Sequence, residues 1–325
     1  MGTARSRRAL DVPSLVEQAR EGSPRAVARL ISLVEDASPA LREVMALLAP
    51  HAGHARVVGL TGSPGVGKST STSALVAAYR RRGMRVGVLA VDPSSPFSGG
   101  ALLGDRVRMQ DHATDDGVFI RSMASRGHLG GLSWATPQAL RVLSAAGCDV
   151  VLVETVGVGQ AEVEVARLAD TTLVLLAPGM GDGIQAAKAG ILEVADVFVV
   201  NKADRDGADQ VVRDLRYMLS LGDRRTDEGW RPPIVKTVAA KGEGADEVVE
   251  EIERHGAWLE NSGSLDARRR ERAADEVEAI AVTSLRERIG DLRGGDTLDT
   301  LAGKVVAGDL DPYAAADELV AEVTA

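Results

Sequence analysis

The chain has 325 residues, 45% hydrophobic and 26% charged, with a formal net charge of -9 at pH 7. This is ordinary globular composition, and its acidic balance lacks the broad positive field that non-specific nucleic-acid binding needs, so no nucleic-acid partner is expected. The single cysteine, Cys148, excludes an intrachain disulfide and a Cys-rich metal site, and it points to a reducing, cytoplasmic setting. No apolar run approaches the ~20 residues a membrane helix needs, so no membrane association is expected. The start, Met1-Gly2-Thr3-Ala4-Arg5-Ser6, formally fits the N-myristoylation pattern, but no apolar stretch follows and it reads as a frayed terminus. Between 10 and 50, apolar residues recur at helical spacing: Leu15, Val16 and Ala19, then Val27, Leu30, Ile31 and Val34, then Leu41, Val44, Met45 and Leu48. They predict about three helices, with Ser23-Pro24 and Ser38-Pro39 read as a cap followed by a first-turn proline.

From Arg56 the pattern changes. Short β-branched apolar runs at 57–61, 86–91, 118–120, 150–153, 172–176, 197–200 and 234–237 alternate with helical stretches. Such runs form parallel strands buried on both faces, so the fold class is α/β, with a mostly parallel central sheet flanked by helices. Ligands on such sheets bind at the carboxyl ends of the strands. After about residue 260 the strands stop. One long charged helix is expected over 266–289, another after Gly294-Gly295 and a last one from Pro312. The charged run Ala267-Arg268-Arg269-Arg270-Glu271-Arg272 is either a solvated face or part of a dimerisation arm whose stripe is Val277, Ile280, Ala281, Leu285 and Ile289. The expected domains are an N-terminal helical segment (1–52), a central α/β domain (53–260) and a C-terminal helical extension (261–325).

Gly62-Ser63-Pro64-Gly65-Val66-Gly67-Lys68-Ser69 fits G-x-x-x-x-G-K-[ST] between an expected strand and an expected helix. Backbone amides of such a loop, continuing to Thr70, converge on phosphates at a helix N-terminus. Lys68 would bridge the β- and γ-phosphates and Ser69 would ligate Mg²⁺. Asn201-Lys202-Ala203-Asp204, after the run 197–200, fits N-K-x-D. A buried carboxylate at Asp204 would accept from guanine N1–H and the 2-amino group, donors that adenine lacks there. Asn201 would brace the loop and the Lys202 stem would cover the base. Thr237-Val238-Ala239-Ala240-Lys241-Gly242 stands where a fifth guanine-nucleotide motif belongs, with the Ala239 amide expected to meet guanine O6.

Glu154-Thr155-Val156-Gly157 takes the place of D-x-x-G: Glu154 would hold Mg²⁺ or its water, and the Gly157 amide would meet the γ-phosphate. Val158 follows where a water-orienting glutamine often stands, so slow intrinsic hydrolysis is expected. Asp92, at a strand end, and Asp105, in a Gly-rich stretch, are read as further Mg²⁺-linked, catalytic carboxylates. The five histidines, His51, His54, His112, His128 and His255, lack metal-ligand spacing and read as structural or surface residues.

Together these stretches resemble the MeaB/ArgK-type methylmalonyl-CoA mutase-associated GTPases. The resemblance rests on Val91-Asp92-Pro93-Ser94-Ser95, on Gly99-Gly100-Ala101-Leu102-Leu103-Gly104-Asp105-Arg106 and on Glu154-Thr155-Val156-Gly157-Val158-Gly159-Gln160. Most diagnostic is Pro178-Gly179-Met180-Gly181-Asp182-Gly183-Ile184-Gln185 with Ala187-Lys188-Ala189-Gly190. It implies a homodimeric GTPase, binding GTP or GDP with Mg²⁺, that chaperones the adenosylcobalamin-dependent methylmalonyl-CoA mutase, gating cofactor loading and protecting the enzyme. It also implies that Asp182, Gln185 and Lys188 couple nucleotide state to the partner, with Lys188 a candidate for the catalytic set as well. Two other readings compete. A nickel-type metallochaperone GTPase needs Cys/His ligands near the switches, and a transport-protein kinase would phosphorylate a protein.

Overall fold

A computed structural model describes residues 10–93, 112, 114–125, 135–155, 161–179, 193–222, 229–289 and 296–324. Each apolar run becomes a strand: β1 (Arg56–Thr61), β2 (Val86–Pro93), β3 (Val118–Ser125), β4 (Val150–Thr155), β5 (Thr171–Leu176), β6 (Val197–Asn201) and β7 (Ile234–Thr237). Around them come α1 (Val12–Arg20), α2 (Pro24–Glu35), α3 (Leu41–Leu48), α4 (Lys68–Arg81), α5 (Thr136–Ala145), α6 (Ala161–Leu168), α7 (Ala208–Gly222) and α8 (Ala245–Asn261). The chain then continues into α9 (Ser264–Ile289), α10 (Asp296–Ala307) and α11 (Pro312–Thr324). Contacts divide it into two units, Met1–Arg268 and Arg269–Ala325.

In the first unit the strands pair in parallel in the order β3-β2-β4-β1-β5-β6-β7. The chain builds outward on one side of β1 and then on the other, so the carboxyl end of β1 is where the strand order reverses. In open α/β sheets that is the ligand position. Side chains alternate between the two faces. Val150 and Leu152 of β4 join Val58, Leu60 and Val88 under α4 and α8. Val151 of β4 faces the other way, with Leu89 and Phe119, under α1–α3 and α5. Val153 meets α6 through Val165, while Val174 and Phe198 further along the sheet meet α7.

Two proline signals part ways. Ser23 caps α2, its Oγ accepting from the Ala26 amide at 3.4 Å, and Pro24 is the first helical residue. Ser38-Pro39 does not open α3, which begins at Leu41 with Ala40 at the N-cap. There the Ser38 hydroxyl accepts from the Ala40 amide at 3.3 Å and its carbonyl from the Leu41 amide at 2.9 Å. These bonds spend the serine on a turn one step before the helix.

Three aspartates stand immediately before β4, β5 and β6, and each accepts a backbone N–H from a neighbouring segment. Asp149 takes Arg85 (2.7 Å), Asp170 takes Val57 (3.0 Å) and Asp196 takes Thr172 (2.8 Å). They satisfy donors at the amino edge that the parallel ladder leaves over. In the second unit α10 and α11 form a helical pair with Lys304 and Glu318 3.7 Å apart. Val277, Ile280 and Leu285 of α9 are solvent-exposed.

Candidate nucleotide-binding site

Residues 62–67 link Thr61, the last residue of β1, to Lys68, the first of α4. Gly62 and Gly67 have φ of 139° and 97°. A Cβ at Gly62 would stand 2.4 Å from the Leu175 carbonyl oxygen, and one at Gly67 would stand 2.5 Å from Asn201 Nδ2. Glycine is therefore required at both, by conformation and by space. The loop carries its amides to the positive end of a helix of four turns. Within it Val66 is buried, Ser63 is half-buried, and Pro64, Gly65 and the following Thr70 are exposed.

Lys68 is buried, and its Nζ donates to the carbonyls of Gly62 (2.6 Å) and Ser63 (3.3 Å), which places the ammonium along the loop. Glu154, near the end of β4, pairs in register with Leu60 of β1, so the topology delivers its carboxylate beside the loop. Only 4% of Glu154 is exposed. Its Oε1 accepts from the Ser69 hydroxyl at 2.5 Å and its Oε2 from the Thr72 hydroxyl at 2.7 Å. Ser69 and Glu154 present the hard oxygen donors that Mg²⁺ takes. Among the described residues no group of three or more His, Cys, Asp or Glu could hold a metal. A cation bound here would draw most of its ligands from phosphate and water, as Mg²⁺ at nucleotide sites does.

The N-K-x-D stretch closes the other side. Asn201 ends β6 and is buried; its Nδ2 donates to the Val66 carbonyl (2.8 Å), and its Oδ1 accepts from the Ala239 amide (3.1 Å) and the Thr237 hydroxyl (3.2 Å). One carboxamide thus ties the phosphate loop to the segment after β7. Lys202 adopts a left-handed φ of 57°, and its Nζ donates to the Gly65 carbonyl at 2.6 Å. The Ala239 amide, expected to meet a base, is directed at Asn201. The Asp204 side chain is 45% exposed, with Lys241 Nζ 3.7 Å from its Oδ2. The sequence suggested a buried carboxylate, whereas this side chain, in the turn that follows β6, is partly open to solvent.

Lys68, Ser69, Glu154, Asn201, Lys202, Asp204 and Ala239 therefore gather at the carboxyl ends of β1, β4, β6 and β7. Asp92 lies in β2 opposite Ala124 of β3, and its side chain is outside the described residues. Asp105, Gly157, Asp182, Gln185 and Lys188 also lie outside the described residues. Sequence reading missed Thr72; its signal was the i, i+3 spacing from Ser69, which puts both hydroxyls on one helix face. It also treated His255 with the other histidines. That ring is fully buried, with Nδ1 2.9 Å from the Thr171 hydroxyl and Nε2 3.3 Å from Asp196 Oδ1, and it stacks on Trp258. Burial pushes its pKa down to about 4, against an opposing pull from Asp196.

A glycine-rich loop at the switch point of a parallel sheet, a carboxylate on the adjacent strand and an N-K-x-D corner define a P-loop GTPase fold. The chain matches the family model described as methylmalonyl-CoA mutase-associated GTPase MeaB over residues 27–292. It belongs to that family. A GTPase relative from Pyrococcus abyssi is 47% identical over 314 residues, covering 96% of this chain and 97% of that protein. The mouse methylmalonic aciduria type A homolog, mitochondrial, is 40% identical over 215 residues, 65% of this chain and 52% of the mouse protein. The crystal structure of a LAO/AO transport system kinase is similar with a TM-score of 0.70 and 28% identity, covering 98% of this chain and 99% of that one.

Proposed function

We propose that this GTPase is a chaperone of an adenosylcobalamin-dependent methylmalonyl-CoA mutase, gating cofactor loading and protecting the enzyme through GTP-dependent switching. The observation that carries the reading is the match to the mutase-associated family across 27–292, which spans every element of the site. The mouse relative is named for methylmalonic aciduria, which fits a role beside methylmalonyl chemistry.

In this reading the amides of 62–67 and the α4 N-terminus bind the phosphates, Lys68 bridges the terminal pair, and Asn201 and Lys202 hold the loop against the base corner. Asp204 accepts from the guanine edge. Ser69 and Glu154, with Asp92 and Asp105, hold Mg²⁺, which when bound neutralises developing phosphate charge. Gly157 meets the γ-phosphate. Val158 offers no hydrogen bond to a water, so free turnover is slow and the partner completes the site. Asp182, Gln185 and Lys188 report the nucleotide state to the mutase. The exposed Val277, Ile280 and Leu285 support a homodimer, and a single buried cysteine supports a cytoplasmic setting.

Pull-down from cell extract with GDP and with a non-hydrolysable GTP analogue tests the client, and nucleotide-dependent recovery of a cobalamin mutase is expected. Adding the mutase to the purified protein is expected to raise GTP turnover at least ten-fold; equal rates with and without it contradict the reading. A second reading, protein kinase, has the name of the similar crystal structure in its favour. With γ-labelled GTP it requires label on a protein, whereas a GTPase releases free phosphate. The nickel reading needs Cys/His ligands near the switches, and the single cysteine, Cys148, is buried just before β4, where burial pushes its thiol up to about 12; stoichiometric Ni²⁺ binding in a titration would restore it.

A further inference from the structure

We propose that Thr72 is a positioning residue for Mg²⁺: it fixes the orientation of the Glu154 carboxylate beside Ser69. The inference rests on the nucleotide reading above and extends it to a residue outside the G-x-x-x-x-G-K-[ST] signature. Thr72 lies on α4 three residues after Ser69, so the two hydroxyls stand one turn apart on the same face. Both point at the end of β4, and each takes a different oxygen of one carboxylate: Ser69 to Oε1 at 2.5 Å, Thr72 to Oε2 at 2.7 Å. Thr72 is fully buried and Glu154 is 4% exposed, so bulk water does not substitute for either donor.

A threonine hydroxyl carries one hydrogen. Thr72 Oγ1 has two acceptors in reach, Glu154 Oε2 and, at 3.1 Å, the Lys68 carbonyl one turn back. The carboxylate is nearer and charged, so it takes the proton, and the carbonyl contact is the weaker alternative. Two donors on opposite oxygens hold the carboxylate plane against rotation about Cγ–Cδ more firmly than one of them would. Ser69 can keep donating to Oε1 while its lone pairs face a cation. The Thr72 hydrogen bond therefore helps to hold the orientation in which Glu154 faces Ser69, and without it Oε2 is a buried charged oxygen lacking that donor.

The test is release of a fluorescent GDP analogue from the full chain as a function of free Mg²⁺, with analogue affinity in excess EDTA measured alongside. Thr72→Val keeps the volume and β-branching and deletes the hydroxyl; Thr72→Ala makes the same deletion with a smaller side chain. Either is expected to raise the Mg²⁺ midpoint about ten-fold or more while EDTA affinity changes less than about two-fold, since a charged buried hydrogen bond is lost. Thr72→Ser is expected to stay within about three-fold of the parent midpoint. An unchanged midpoint in the folded Val or Ala variant, or equal loss with and without Mg²⁺, overturns the proposal. So does a Ser variant as impaired as the deletions. A parent protein that binds no guanine nucleotide overturns the nucleotide reading itself, and that failure is visible before any variant is compared.

Discussion

At the scale of single residues, the site separates groups that recognise from groups that hold. Asp204 is half-exposed, with Lys241 at 3.7 Å, and in the proposed function it accepts from a base. Asp204→Asn is expected to lower GTP affinity by about a hundred-fold or more and to favour xanthosine triphosphate over GTP. The xanthine edge offers one donor and one acceptor, which a carboxamide matches; competition calorimetry with both nucleotides checks it. Tyr79 on α4 shows the reverse relation between burial and use. It is 1% exposed, its hydroxyl has no hydrogen-bond partner among the described residues, and burial holds its pKa well above the usual phenol value. Tyr79→Phe removes an unsatisfied polar group without removing volume, so the unfolding free energy from urea titration is expected to stay equal or rise, by about 1 kcal/mol. Lys68, Asn201 and Asp204 were legible because their chemistry demands those residue types at fixed spacing. Thr72 was not, because a helical threonine carries no mark of its partner until β4 is placed beside it.

At the scale of elements, strand positions were readable to within a few residues, because parallel strands buried on both faces leave continuous apolar runs. The three aspartates before β4, β5 and β6 repeat in the sequence as Cys148-Asp149, Ala169-Asp170 and Ala195-Asp196 ahead of such runs. Their role as receivers of amides from adjacent segments depends on strand order, which spacing along one chain does not contain. Ser38-Pro39 failed as a helix start because a serine hydroxyl serves a turn as readily as a cap. α8 carries the element-scale prediction. His255, pressed among Thr171, Asp196, Trp230 and Trp258, has its pKa pushed down by burial to about 4 from an ordinary 6.5. Asp196 and Asp170 pull that value upward, and Arg268 and Arg56 pull it down. Between these pH values the unfolded chain binds a proton that the native ring refuses, so stability falls as pH falls from about 6.5 toward 4. His255→Gln lacks this term, and its melting temperature is expected to decline less steeply than the parent's over that window in scanning calorimetry.

At the scale of the whole molecule, the two units differ in how much the sequence disclosed. The sheet and its helices follow from a pattern that has few solutions. The helices after 268 were predicted as helices, but their apolar residues alone left open what they meet. Val277, Ile280 and Leu285 fall on one side of α9 and remain exposed, which is the basis for expecting a second copy. If the proposed dimer forms, Val277→Asp combined with Leu285→Asp is expected to halve the mass seen by light scattering while GDP affinity stays within about two-fold; a dimeric parent whose mass the variant leaves unchanged contradicts pairing through α9, and a monomeric parent contradicts the dimer. A different kind of long-range consequence follows from Asn201. Its carboxamide clasps the Val66 carbonyl on one side and the Ala239 amide on the other, so under the proposed function the recess for a purine and the cradle for an anion share a single fastening. A neutral compound that wedges that recess open would slacken the cradle without approaching a phosphate. An inhibitor of this GTPase would then need no negative charge, an advantage in crossing a cell membrane.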